Sequence, residues 1–144
     1  MLRKNSLSFL IAVTVIFAGC ALAGRSVSSP VPSSAPVDTS LFGDWTGDSI
    51  CQVKDSPCHD EKVIYHISAG KKANMVTVNA DRITNGQVVD MGPLEFIYDK
   101  DAQTLVCDAG GHWLFKINGN KMDGTLTSAD GTLFRKVTLS KKES

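Results

Sequence analysis

Apolar and polar residues alternate with a period of two through almost all of residues 41–140. That period belongs to half-buried β-strands. Trp45 to Gln52 reads as a first strand and Lys62 to Ser68 as a second, with Val63, Tyr65 and Ile67 on one face. Asn74 to Ile83 places Val76, Val78 and Ala80 together. Gln87 to Met91 reads as a short strand stopped by Gly92-Pro93, and Leu94 to Tyr98 as the next, with Leu94, Phe96 and Tyr98 on one side. Gln103–Cys107, His112–Ile117, Lys121–Thr127 and Thr132–Leu139 complete the set. No stretch after residue 40 carries a helical period.

Turn chemistry separates these segments. Thr84-Asn85-Gly86, Ala109-Gly110-Gly111 and Asn118-Gly119-Asn120 supply residues that tolerate positive φ. Short strands at regular spacing, joined by tight turns, predict an all-β domain: a small antiparallel up-and-down barrel of about eight strands. Closure into a barrel removes the exposed edges that invite aggregation. A β-sandwich is the alternative; tight turns throughout favour the meander, because Greek-key crossings need longer connections. The barrel domain is placed at residues 41–140 and a polar tail at 141–144.

The first forty residues follow different rules. Arg3 and Lys4 precede an apolar run from Leu7 to Ala18 that ends at Gly19-Cys20. This is the anatomy of a secretory signal, and the run is too short to span a bilayer, which takes about 20 apolar residues. Phe17-Ala18-Gly19-Cys20 resembles the lipobox of bacterial lipoproteins, with Phe17 where an aliphatic residue is usual. That resemblance implies a signal peptide over residues 1–19 and lipidation of Cys20. Ala21 after the cysteine then implies an outer-membrane lipoprotein. Ala21-Leu22-Ala23 also fits ordinary signal peptidase, which would extend the signal to residue 23 and release a periplasmic or secreted protein. Residues 20–40 are rich in Ser, Pro and Ala and read as a flexible tether.

Gly43-Asp44-Trp45 opens the domain, and Arg135 lies in the last strand on the face of Leu133, Val137 and Leu139. A Gly-x-Trp in the first strand and a basic residue in the last resemble the calycin superfamily of lipocalins, fatty-acid-binding proteins and avidins. The resemblance covers the two ends of the domain and the strand count. It implies that Trp45 closes one barrel end and that Arg135 packs across its indole, a structural pair.

Charge and cysteine content narrow the function. The 144 residues hold 15 basic and 15 acidic side chains. Without Arg3 and Lys4, thirteen basic residues face fifteen acidic ones, a net charge of −2. No basic stripe suits nucleic acid. Cys51, Cys58 and Cys107 lie in the domain, so at most one bridge forms within it. Cys51 and Cys58 flank Lys54-Asp55-Ser56-Pro57, a turn-rich stretch that could bring them together; pairing of Cys107 with either remains open.

Candidate chemistry is sparse. Cys58-His59-Asp60-Glu61 is the densest reactive cluster, with Cys51, His66 and His112 as possible additions. It lacks Cys-x-x-Cys, and an oxidising compartment favours a disulfide over thiolate ligands. No metal and no cofactor are therefore expected. A Cys107–His112 nucleophile pair would need a lowered thiol pKa and an orienting residue, and the sequence offers neither, so no catalytic residue is assigned and no enzymatic activity is expected. Tyr65, Phe96 and Trp113 are the candidate ligand-lining residues. Ser49, Thr77 and Thr125, with Gly47 and Gly124, could leave room inside the barrel if they face inward. The reading is an exported, lipid-anchored, non-catalytic barrel that binds a small apolar or amphipathic ligand. The alternative is an envelope protein-interaction module or hydrolase inhibitor acting through the Cys51–Cys58 loop.

Overall fold

The computed structural model describes residues 37–143. The signal segment, Cys20 and most of the tether lie outside the described residues. Eight antiparallel strands follow one another around a closed barrel: β1 (Gly43–Cys51), β2 (Glu61–Ala69), β3 (Met75–Thr84), β4 (Gln87–Asp99), β5 (Thr104–Asp108), β6 (His112–Asn118), β7 (Lys121–Thr127) and β8 (Leu133–Lys141). Each pairs with its neighbour in sequence, and β1 closes on β8. The expected up-and-down barrel is therefore present, and the sandwich is not.

The period of two has its predicted outcome. Val63, Tyr65 and Ile67 on β2, Phe96 and Tyr98 on β4, Phe115 on β6 and Val137 and Leu139 on β8 point inward and are buried. Asn85 and Gly86 both have positive φ at the tip of the β3–β4 hairpin, with Thr84 opposite Gln87. This is the turn geometry that Asn-Gly favours, because its twist matches that of the flanking strands.

One boundary differs from expectation. Gly92-Pro93 does not stop a strand; the fourth and fifth predicted strands form the single 13-residue β4. The register against β3 shifts between Asn79–Pro93 and Asp81–Asp90, so β4 carries one extra residue there. Gly92 takes φ +83°, and its N–H donates to Asp90 Oδ1 at 2.6 Å. A bulge absorbs the proline that a regular central ladder would reject. It also bends β4 beside the cavity described below.

The barrel's two ends differ. At one, the 3-10 turn Thr39–Leu41 lies across the opening with Leu41 buried. Trp45 fills the space beneath it, 1% exposed, and its Nε1–H donates to the Leu41 carbonyl at 2.9 Å. The opposite end is ringed by the β1–β2 loop, the β3–β4 hairpin and the first inward residues of β6 and β8. Toward that end the wall is incomplete: β4 pairs with β5 only over Ile97–Asp99.

Candidate functional site

A cavity of about 270 Å³ lies inside the barrel, toward the end opposite Trp45. Its walls are laid down by the inward positions of β1 to β4, β6 and β8. Val63, Tyr65, Val78, Ala80, Leu94, Phe96, Trp113 and Phe115 form the apolar part. The three expected lining residues, Tyr65, Phe96 and Trp113, all border it. Phe115 joins them: its ring meets Tyr65 and Phe96 edge to face, with centroids 6.0 and 5.7 Å apart, and stacks on Trp113 at 5.9 Å. Such pairs favour defined mutual orientations.

A polar wall faces that floor. Ser49 on β1, Glu61 on β2, Arg82 on β3 and Arg135 on β8 all border the cavity. Glu61 lies between the two guanidinia, with Oε1 3.4 Å from Arg82 Nη1 and Oε2 3.3 Å from Arg135 Nη1. Arg135 Nη1 also donates to Ser49 Oγ at 3.0 Å and to the His59 carbonyl at 3.2 Å. The Arg82 Nε is buried with no acceptor, an uncommon condition for a buried donor. Burial pushes the Tyr65 phenol up to about 12; Arg135 opposes that shift and Glu61 adds to it. At neutral pH Tyr65 is therefore an uncharged hydroxyl. Sequence reasoning missed Arg82 and Glu61 as cavity residues. Period two on β2 and β3 puts Glu61 in phase with Val63 and Arg82 in phase with Ala80, so the signal was present, but charge at a strand end ordinarily means solvent.

Trp45 and Arg135 do not form the pair that the calycin resemblance implies. On the β1–β8 ladder, Arg135 lies opposite Cys51, while Trp45 lies opposite Lys141. It is Lys141 whose Nζ sits 5.9 Å from the indole centroid, and it also donates to the Ser40 carbonyl. The basic residue over the tryptophan comes six positions later in β8 than expected. Arg135 serves the cavity instead.

Cys51 and Cys58 form the disulfide, with Cα atoms 5.9 Å apart, and Cys107 is a free buried thiol. The bridged loop is fastened further. The Cys51 N–H donates to Asp60 Oδ1 at 2.9 Å, the Gln52 N–H donates to the Phe134 carbonyl at 2.9 Å, and Arg135 holds His59. Reducing the bridge, or replacing both cysteines by alanine, is expected to lower stability by about 2–3 kcal/mol through the freed loop. Urea midpoints with and without reductant measure it; an unchanged midpoint would show that the loop's hydrogen bonds already hold it.

The other reactive residues are scattered. His59 offers its carbonyl to Arg135. His112 Nδ1 lies 2.7 Å from Asp108 Oδ1. Cys107 lies opposite Trp113 on the inward face, while His112, one residue before Trp113, faces out. The barrel wall thus separates thiol from imidazole, and burial raises the Cys107 pKa. His66, on the outer face of β2, bridges two strands: Nδ1 is 2.7 Å from Asp44 Oδ1 and Nε2 is 3.1 Å from Asp81 Oδ2. The bond to Asp44, then that to Asp81, raises the His66 pKa above its ordinary value. A raised pKa in the folded state means stabilisation that is complete below about 6.5 and lost as pH rises through the folded value. His66 is 40% exposed, so the effect should stay below about 1 kcal/mol. Melting curves of wild type and His66→Gln should diverge in weakly acid buffer and converge in alkaline buffer. Parallel curves would refute the linkage.

No protein-family profile matches the sequence, and no curated protein is similar to it. Solved structures do resemble the barrel. An odorant-binding protein, OBP1, superposes with a TM-score of 0.50 at 10% identity, covering 75% of each chain. Aphrodisin, a sex pheromone from female hamster, gives 0.47 at 16% identity, covering 72% of this chain and 76% of its own. At such identities the first likeness speaks to fold. Together with eight strands in unbroken up-and-down order and a buried Trp45 at the closed end, it establishes that this chain folds as a calycin-like barrel.

Proposed function

We propose that this protein is an exported, non-catalytic carrier that holds one small apolar or amphipathic molecule in the barrel cavity. The observation that carries the reading is the cavity itself: about 270 Å³, with an aromatic floor and one side of polar groups. Small-molecule sites combine predominantly apolar walls with a few placed polar groups, over roughly 300–1,000 Å³. This one falls just below that range, which favours a ligand well below drug size. Fold alone does not decide function, although the OBP1 structure it resembles is named for odorant binding.

The export half of the proposal rests on the sequence. Arg3, Lys4 and the run from Leu7 to Ala18 direct the chain out of the cytoplasm, and Cys20 carries the lipid that tethers it at the outer membrane. A Cys51–Cys58 disulfide accords with an oxidising compartment. The membrane is then a partner through the lipid alone.

Titration of the mature protein with 1-octanol tests the binding. Burying its alkyl chain should gain about 6 kcal/mol at ~0.8 kcal/mol per methylene, a Kd of tens of micromolar. Ala80→Trp, which fills the cavity from its wall, should abolish the heat while leaving the barrel folded. Absence of binding to the wild type, or equal binding by the filled variant, would overturn the proposal.

A further inference from the structure

We infer that the cavity selects a ligand with a single negatively charged head group, a carboxylate on a short apolar body, held by the guanidinium N–H groups of Arg82 and Arg135 that Glu61 does not engage. This deepens the carrier reading above and rests on it. The first support is charge. Two guanidinia and one carboxylate border the same cavity, so the polar wall carries one positive charge in excess. A neutral ligand leaves that excess uncompensated in a partly desolvated site, whereas one carboxylate balances it.

The second support is unfinished hydrogen bonding. The ion pairs of Glu61 measure 3.4 and 3.3 Å, longer than the roughly 2.7–2.9 Å of a closed charge-assisted bond. The bonds that either guanidinium makes among the described residues all leave from Nη1. The remaining N–H groups of both are free to turn to another acceptor, and the buried Arg82 Nε already lacks one. A planar carboxylate matches the guanidinium fork.

The third support is geometry. The charged wall stands on β2, β3 and β8, and the aromatic floor of Tyr65, Phe96 and Phe115 lies deeper, toward the closed end. A molecule with its head at the guanidinia can lay its body on that floor without burying a second polar group. The volume of about 270 Å³ limits the body to a medium-length chain or a single ring.

Octanoate and 1-octanol share an alkyl chain and differ in the head. Calorimetric titration of the mature protein should show octanoate binding at least tenfold more tightly, the order expected for one charge-assisted contact. Raising salt from about 0.05 to 0.5 M should weaken octanoate and leave octanol unchanged. Arg82→Gln should bring the two ligands to equal affinity. If that variant fails to fold, the salt dependence of the wild type decides. Equal affinity of the wild type for both would overturn this inference while the carrier reading stands. Failure of both to bind would overturn both.

Discussion

Gly47→Ala should cost the barrel about 3 kcal/mol or more, at the upper end of what a single added methyl does in a packed interior. The reason lies in the seam that closes the barrel. Gly47 on β1 is opposite Leu139 on β8, and a Cβ there would land on the carbonyl of Thr138, well inside van der Waals contact. The obstruction is backbone, so no rotamer change relieves it. The two strands must part, and with them part of the ladder from Trp45–Lys141 to Cys51–Arg135. A fall in the melting temperature of about 12–24 °C is expected. Hydrogen exchange should show the loss concentrated in β1 and β8, since a barrel opens where its closure is strained. A variant that melts within a few degrees of wild type would mean that the β1–β8 seam yields to a methyl group at little cost.

That glycine illustrates how a residue can be legible in type and misread in purpose. Gly47 and Gly124 were candidates for opening room for a ligand. Both sit inside, but the space is taken: by the β8 backbone at Gly47, and by the Phe115 ring at Gly124. Thr77 faces outward, and its Oγ1–H donates to Glu95 Oε1 at 2.6 Å. Of the hydroxylated candidates, Ser49 borders the cavity. A period of two assigns residues to alternate faces, but it cannot say which gap a neighbour fills. That depends on strand pairing across the closed sheet.

The same limit explains the tryptophan and its basic partner. Strand order and the Asn85-Gly86 turn were readable because each depends on local pattern, whereas Gly92-Pro93 reads locally as a stop and is a bulge within one strand. The aromatic residues of the cavity were readable because a large inward side chain has few alternatives. Which cation lies over Trp45 depends on the β1–β8 register, a contact between the first and last strands that no local pattern encodes. Arg135 and Lys141 share one face of β8, and the sequence alone does not choose between them. Glu61 and Arg82 were overlooked for a related reason. At strand ends, charge is read as surface, yet here the barrel mouth brings Glu61 against both Arg82 and Arg135.

Trp45→Ala should be the most damaging single truncation in the domain, at about 3–5 kcal/mol. Trp45 is 1% exposed and belongs to the core that includes Leu41, Tyr65 and Leu139. Removing the indole empties the closed end and leaves the buried Leu41 carbonyl without its donor. The 3-10 turn over Thr39–Leu41 then loses both its floor and its tie. A melting temperature lower by about 15–30 °C is expected, with faster proteolysis ahead of β1. The two basic residues separate the competing descriptions of this end. Lys141→Met removes the cation over the indole and should cost only about 0.5–1 kcal/mol, as exposed cation–π contacts do. It should also shift Trp45 fluorescence, which Arg135→Met should leave unchanged, since Arg135 lies beside Ser49 and Glu61 at the cavity. If instead Arg135→Met perturbs Trp45 and Lys141→Met does not, the β1–β8 register is wrong by six residues, and the polar wall assigned to the cavity falls with it.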